Sequence, residues 1–111
     1  MSMLAIGFPQ HRPSEVTFDG TVTSAPHFFY GSRTHAVHEA FNVRSDDGRP
    51  LEIVDNVALA PRVPVVVGDR VAIRGELIPD AKPGPLVHWT HHDPAGIHPD
   101  GYIDLNGKRY A

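Results

Sequence analysis

The chain contains no cysteine. Disulfides, thiolate zinc sites and cysteine nucleophiles are therefore excluded. Cationic residues are outnumbered: ten Lys and Arg against thirteen Asp and Glu leave a net charge of −3 with histidine neutral. That argues against a non-specific grip on a phosphate backbone, which needs many Lys and Arg contacts. A local basic patch stays open. Long hydrophobic runs are also missing, and no window approaches the roughly 18 apolar residues of a membrane span. The short apolar run from Met3 to Phe8 is interrupted by Gly7 and stopped by Pro9. No basic segment precedes it, so it does not read as a secretory leader, and the expected compartment is the cytoplasm. There is no Gly-x-x-x-x-Gly-Lys-Ser/Thr phosphate loop and no serine nucleophile pattern.

What the chain does have is proline, glycine and histidine, at eleven, ten and eight residues. So many prolines and glycines rule out a helical bundle, because they break or punctuate regular segments. A length of 111 residues gives one domain with one core. Residues 1–14, with Pro9 and Pro13, are expected to be a flexible arm, and 15–111 the folded domain.

The first strand is clear: Val16, Phe18 and Val22 alternate with polar residues at a period of two, with Gly20 at a bend. Residues 27–36 read as a loop around Gly31. A second strand follows over Val37–Ser45, then an Asp46-Asp47-Gly48 hairpin turn and a third strand at Leu51–Val54. Asn56–Leu59 allows one helical turn before Pro61 and Pro64. Arg70–Leu77 is the fourth strand and Leu86–His91 the fifth. The tail carries Asn106-Gly107 between short apolar segments, a compact hairpin signal. Five strands, one of them bent by glycine, predict an all-β, OB-fold-like barrel with a C-terminal hairpin. A split β-sandwich is the alternative.

Residues 88–94, His-Trp-Thr-His-His-Asp-Pro, hold three of the eight histidines and the only tryptophan. Groups that bind metals or move protons near neutral pH are rarely so dense. On a strand, His88, Thr90 and His92 would share one face and Trp89, His91 and Asp93 the other. This is therefore not a helical zinc motif. A metal needs three or four convergent ligands. His88 and His92 supply two, and His38 from the second strand is the chosen third, with His35 and His98 as further sources. His91 and Asp93 are the candidate catalytic pair, the carboxylate fixing the imidazole tautomer. Asn56, Arg44 and Trp89 are candidate ligand-binding residues. The bland reading is also open, in which the histidines stitch backbone together and Trp89 is core.

The same motif carries a resemblance. The chain resembles a small bacterial family of uncharacterised domains marked by His-Trp-Thr-His-His-Asp-Pro near the C-terminus. Further matching pieces are His38-Glu39-x-Phe41, Asn56 followed by Leu59-Ala60-Pro61, Gly68-Asp69, Gly75-Glu76, Gly101-Tyr102-Ile103 and Gly107-x-x-Tyr110. The resemblance spans about residues 16–110. It implies that His38, Asn56, His88, His91, His92 and Asp93 are the motif positions, without implying an activity. The chain departs from the family pattern at Glu39, where glutamine is more frequent, and at Asp55, where histidine is common. Many members look exported, which this chain's start does not suggest.

Two functions follow as expectations. The first is a His/Asp site that binds a divalent transition metal such as zinc, and that hydrolyses a phosphoester through a metal-activated water or by histidine acid–base chemistry. The second is a non-catalytic module that binds single-stranded nucleic acid or a protein partner. It would use Phe28, Phe29, Tyr30, Arg33, Arg44 and Arg62 on the barrel face. The Tyr102–Tyr110 edge is a candidate pairing surface for a second copy.

Overall fold

The computed structural model describes residues 14–111. The expected N-terminal arm lies outside these residues, apart from Ser14. Eight strands follow: β1 (Ser14–Val22), β2 (His27–Gly31), β3 (Ala36–Ser45), β4 (Pro50–Asn56), β5 (Arg70–Ile78), β6 (Leu86–His88), β7 (Tyr102–Leu105) and β8 (Lys108–Tyr110).

Five of them close a barrel in the order β1-β3-β4-β6-β5 and back to β1. All contacts in the ring are antiparallel except β4 with β6, where Glu52 faces Leu86 and Ile53 faces Val87. This is the OB-like barrel expected from the sequence. β1 bends so that its C-terminal end pairs with both β3 and β5. Gly20 makes the bend possible, since a Cβ there would sit 2.6 Å from the Arg44 carbonyl oxygen and from Val43 Cγ1.

Period-two burial builds the core. Leu51 and Ile53 of β4, Val71, Ile73 and Leu77 of β5, and Phe41 and Val43 of β3 point inward with Val22 and Val87. Val63 and Val65 of the β4–β5 connection plug one part of the core, and Ile103 and Leu105 of β7 extend it. The full-length edge of β5 is shared. Its first half pairs with β7 and its last three residues with β6.

The structure corrects the sequence reading in three places. Residues 27–31, expected to be loop, form β2 and pair with β3 outside the ring. Four of its five side chains are exposed, so no alternation of apolar and polar residues announced it. Second, the last barrel strand stops at His88 rather than His91. Trp89 takes a left-handed φ of 54°, which ends the pairing. Third, Trp89 is half-buried at the surface, so the alternative that made it a core residue, beside its reading as a ligand-binding candidate, does not hold. The C-terminal hairpin forms as expected, with Asn106 at φ 51° and Gly107 at φ 80°, the two left-handed positions that Asn-Gly favours.

Candidate functional site

Strand register brings three functional side chains into one row. Glu15 of β1 lies opposite Glu76 of β5, and Glu76 lies opposite His88 of β6. All three are on the outer face of the barrel, out of phase with the core residues on either side. The His88 ring donates from Nε2 to Glu76 Oε1 at 2.8 Å. Glu76 Oε2 is left facing His98 Nδ1 at 3.9 Å. Among the described residues, Glu15, Glu76 and His98 form the one group whose potential ligand atoms all lie within 4.8 Å of one another.

Two carboxylates directly opposite on neighbouring strands repel. Arg74 offsets this in part, with Nε 3.8 Å from Glu15 Oε1. A divalent ion would offset it fully. Two carboxylate oxygens and an imidazole nitrogen suit zinc and its first-row neighbours. Glu76 already carries the outer partner that metal-binding carboxylates typically have, in His88.

The loop after β6 delivers His98. Asp93 organises it: Oδ1 accepts from the Ala95 amide at 2.9 Å, and Oδ2 from the amides of Ile97 at 2.9 Å and His98 at 2.8 Å. These bonds, that from the His98 amide foremost, hold the Asp93 carboxyl below its ordinary range. Trp89 supports the His98 ring from the other side, stacked at 4.1 Å between centroids and 15° between planes. Asp93 and Trp89 are thus positioning residues for His98.

The remaining predicted residues divide between two further places. His38, Asn56 and His91 line one cavity of about 410 Å³, with His88 and Trp89 as the wall towards the Glu76 row. His38 donates from Nδ1 to the Ala36 carbonyl at 3.2 Å and stacks on Phe29. His91 is buried and donates from Nδ1 to the His92 carbonyl at 2.8 Å, so this carbonyl, not Asp93, sets its tautomer. Asn56 Oδ1 accepts from the Ala58 amide. His92 and Arg44 join neither group. His92 is exposed and bonds Asp100 at 2.8 Å, and Arg44 reaches the Gly48 carbonyl at the hairpin turn. Of the proposed nucleic-acid face, Phe28, Phe29 and Tyr30 are exposed on β2, with Arg62 over the Phe28 ring at 4.8 Å.

Close to the cavity lining in sequence lies a pair of acids, the two positions at which the chain departs from the family pattern. Glu39 of β3 and Asp55 of β4 are register partners and both are fully buried. Glu39 Oε1 accepts from the Val63 amide, and Asp55 Oδ1 from the Thr90 hydroxyl at 3.0 Å. Glu39 Oε2 and Asp55 Oδ2 have no hydrogen-bond partner among the described residues. Burial pushes the Asp55 carboxyl up to about 7, against the Thr90 hydrogen bond and with further help from the Glu39 charge. Burial also raises Glu39.

Glu15 and Glu76 were missed for another reason. Neither belongs to the histidine motif, and only the β1–β5–β6 register makes them neighbours of His88. The parity of Glu76 on β5 was a usable signal, since it alternates with Gly75 and Leu77.

Gly101 fixes the geometry of the whole segment. Its amide donates to the His91 carbonyl at 2.9 Å. A Cβ at this position would lie 2.0 Å from the Trp89 carbonyl oxygen and 2.7 Å from that of Arg74. Backbone cannot yield as a flexible side chain can. Gly101→Ala is therefore expected to cost about 3 kcal/mol of stability and to shift the Trp89 emission. Denaturant unfolding followed by fluorescence measures both.

The fold defines a small OB-like barrel domain, with one partly exposed Glu/Glu/His group whose ligand atoms lie close enough that it could hold a metal ion. The chain belongs to the family described as "Protein of unknown function (DUF3465)", whose family model matches residues 2–111. No curated protein matches the chain.

Proposed function

We propose that this domain binds a divalent transition metal at Glu15, Glu76 and His98. The observation that carries the reading is the approach of their ligand atoms to within 4.8 Å of one another. Small side-chain rotations bring such a group to bonds of roughly 2.0–2.2 Å around one ion. The reading keeps the metal expected from the sequence but moves it. Of the histidines chosen as ligands, His88 becomes the partner that orients Glu76, and His38 and His92 lie elsewhere.

Three protein ligands in a partly exposed group would leave positions open to water, as catalytic metal sites do. The activity that such a centre supports is phosphoester hydrolysis, in which the metal lowers the pKa of a bound water. Bis(p-nitrophenyl) phosphate turnover by the metal-loaded protein, absent after chelation, is the check on that activity.

Metal binding itself has a built-in reporter. Trp89 is the only tryptophan and its ring lies 4.1 Å from that of His98. Copper(II) or nickel(II) bound to His98 is expected to quench Trp89 emission saturably, at one ion per chain. His98→Gln is expected to abolish the quenching while the far-ultraviolet spectrum stays unchanged. Quenching that survives in His98→Gln would place the ion elsewhere.

A further inference from the structure

The cavity on the other side of His88 and Trp89 has a chemistry of its own. Backbone carbonyls cannot donate, so the contacts of His38 Nδ1 to the Ala36 carbonyl and of His91 Nδ1 to the His92 carbonyl fix both Nδ1 atoms as N–H donors. In the neutral rings, each Nε2 is then an acceptor, and neither has a hydrogen-bond partner among the described residues. Trp89 adds an aromatic surface, and Val54 and Leu59 add an apolar one. Among the described residues, no lysine or arginine lines the space. Asp55, between the lining residues Val54 and Asn56 in sequence, and Glu39 opposite it turn to the buried side of the same strands.

An anion entering here finds no fixed positive charge among the described lining residues. A cation finds two imidazole lone pairs and the aromatic ring of Trp89 beside them. We propose that this cavity binds a small organic ammonium ion, its N–H groups donating to His38 and His91 Nε2 and its apolar body resting on Val54, Leu59 and Trp89. A volume of about 410 Å³ falls within the range of small-molecule pockets. The inference is independent of the metal centre, which uses different ligand atoms.

Three probes of one shape test it: benzylammonium, benzyl alcohol and benzoate, each titrated with chelator present and followed by amide chemical shifts. Benzylammonium is expected to bind saturably, shifting Asn56 and residues 88–91, and to bind more tightly than the other two. His38→Phe keeps the ring and removes the acceptor, and should weaken benzylammonium about tenfold, the scale of one hydrogen bond to a charged group. His91→Phe should do the same. If that buried substitution unfolds the chain, His38→Phe alone decides. Four results would each overturn the proposal: benzoate or benzyl alcohol binding as well as the ammonium, saturation by none of the three, shifts confined to other residues, or full affinity in His38→Phe.

Discussion

Asp55→Asn is expected to make the protein more stable at pH 8, by roughly 2–4 kcal/mol, and to flatten its pH dependence. The sign follows from the direction of the shift. The Asp55 carboxyl is raised from 3.8 to about 7 in the folded chain, chiefly because burial penalises the charge. A raised folded value means that the folded state holds the proton more tightly than the unfolded state. The stability linked to that proton is fully present below about pH 4 and is lost as the pH rises through 7. At about 1.4 kcal/mol per pH unit, the loss reaches roughly 4 kcal/mol, and Glu39, shifted the same way, deepens it.

Asparagine is neutral at every pH, keeps an oxygen for the Thr90 hydroxyl and offers an amide to the unpartnered Glu39 Oε2. The gain should therefore be large at pH 8 and small at pH 5. Urea unfolding at the two pH values measures it. Equal destabilisation by Asp55→Asn at both would show that the pair is held ionised by contacts the structure does not contain.

Glu76→Gln has the largest expected effect on binding. In the proposed site Glu76 is the central ligand, between Glu15 on one strand and His88 on the other. Losing an outer hydrogen-bond partner of a metal ligand costs roughly 10–100-fold in affinity, and losing the charged ligand itself should cost about a hundredfold or more. Glutamine can still accept from His88 Nε2 and no longer repels Glu15. The metal-free variant should therefore melt no lower than the metal-free parent. Calorimetric zinc titration with parallel thermal melts separates the two effects. A variant that binds zinc as the parent does would remove Glu76 from the site.

Alternation and turn chemistry made most of this fold legible. The alternating β1, β3 and β5, the Asp-Gly and Asn-Gly turns and the bend at Gly20 were all read correctly, because each is a local signal. β2 was not, since an added edge strand with exposed side chains carries no alternation, and its pairing with β3 is a tertiary choice. The end of β6 was missed because a left-handed tryptophan has no sequence signature.

The side chains of the histidine motif divide between the surroundings of His98, the cavity beside His38 and the exposed contact with Asp100. Asp93, expected to pair with His91 and fix its tautomer, receives three loop amides. His91 takes its tautomer from a backbone carbonyl one residue away. Glu15 and Glu76 are separated from the motif in sequence and reach it only through the barrel's register. Asp55 stood out only as a departure from a family pattern, and its burial opposite Glu39 follows from β3–β4 pairing.

The most direct test of the metal centre is X-ray absorption on protein loaded with one equivalent of zinc. The predicted coordination is one imidazole with oxygen ligands from two carboxylates and water. A sphere of two or more imidazoles, or no ion retained after desalting, would contradict it.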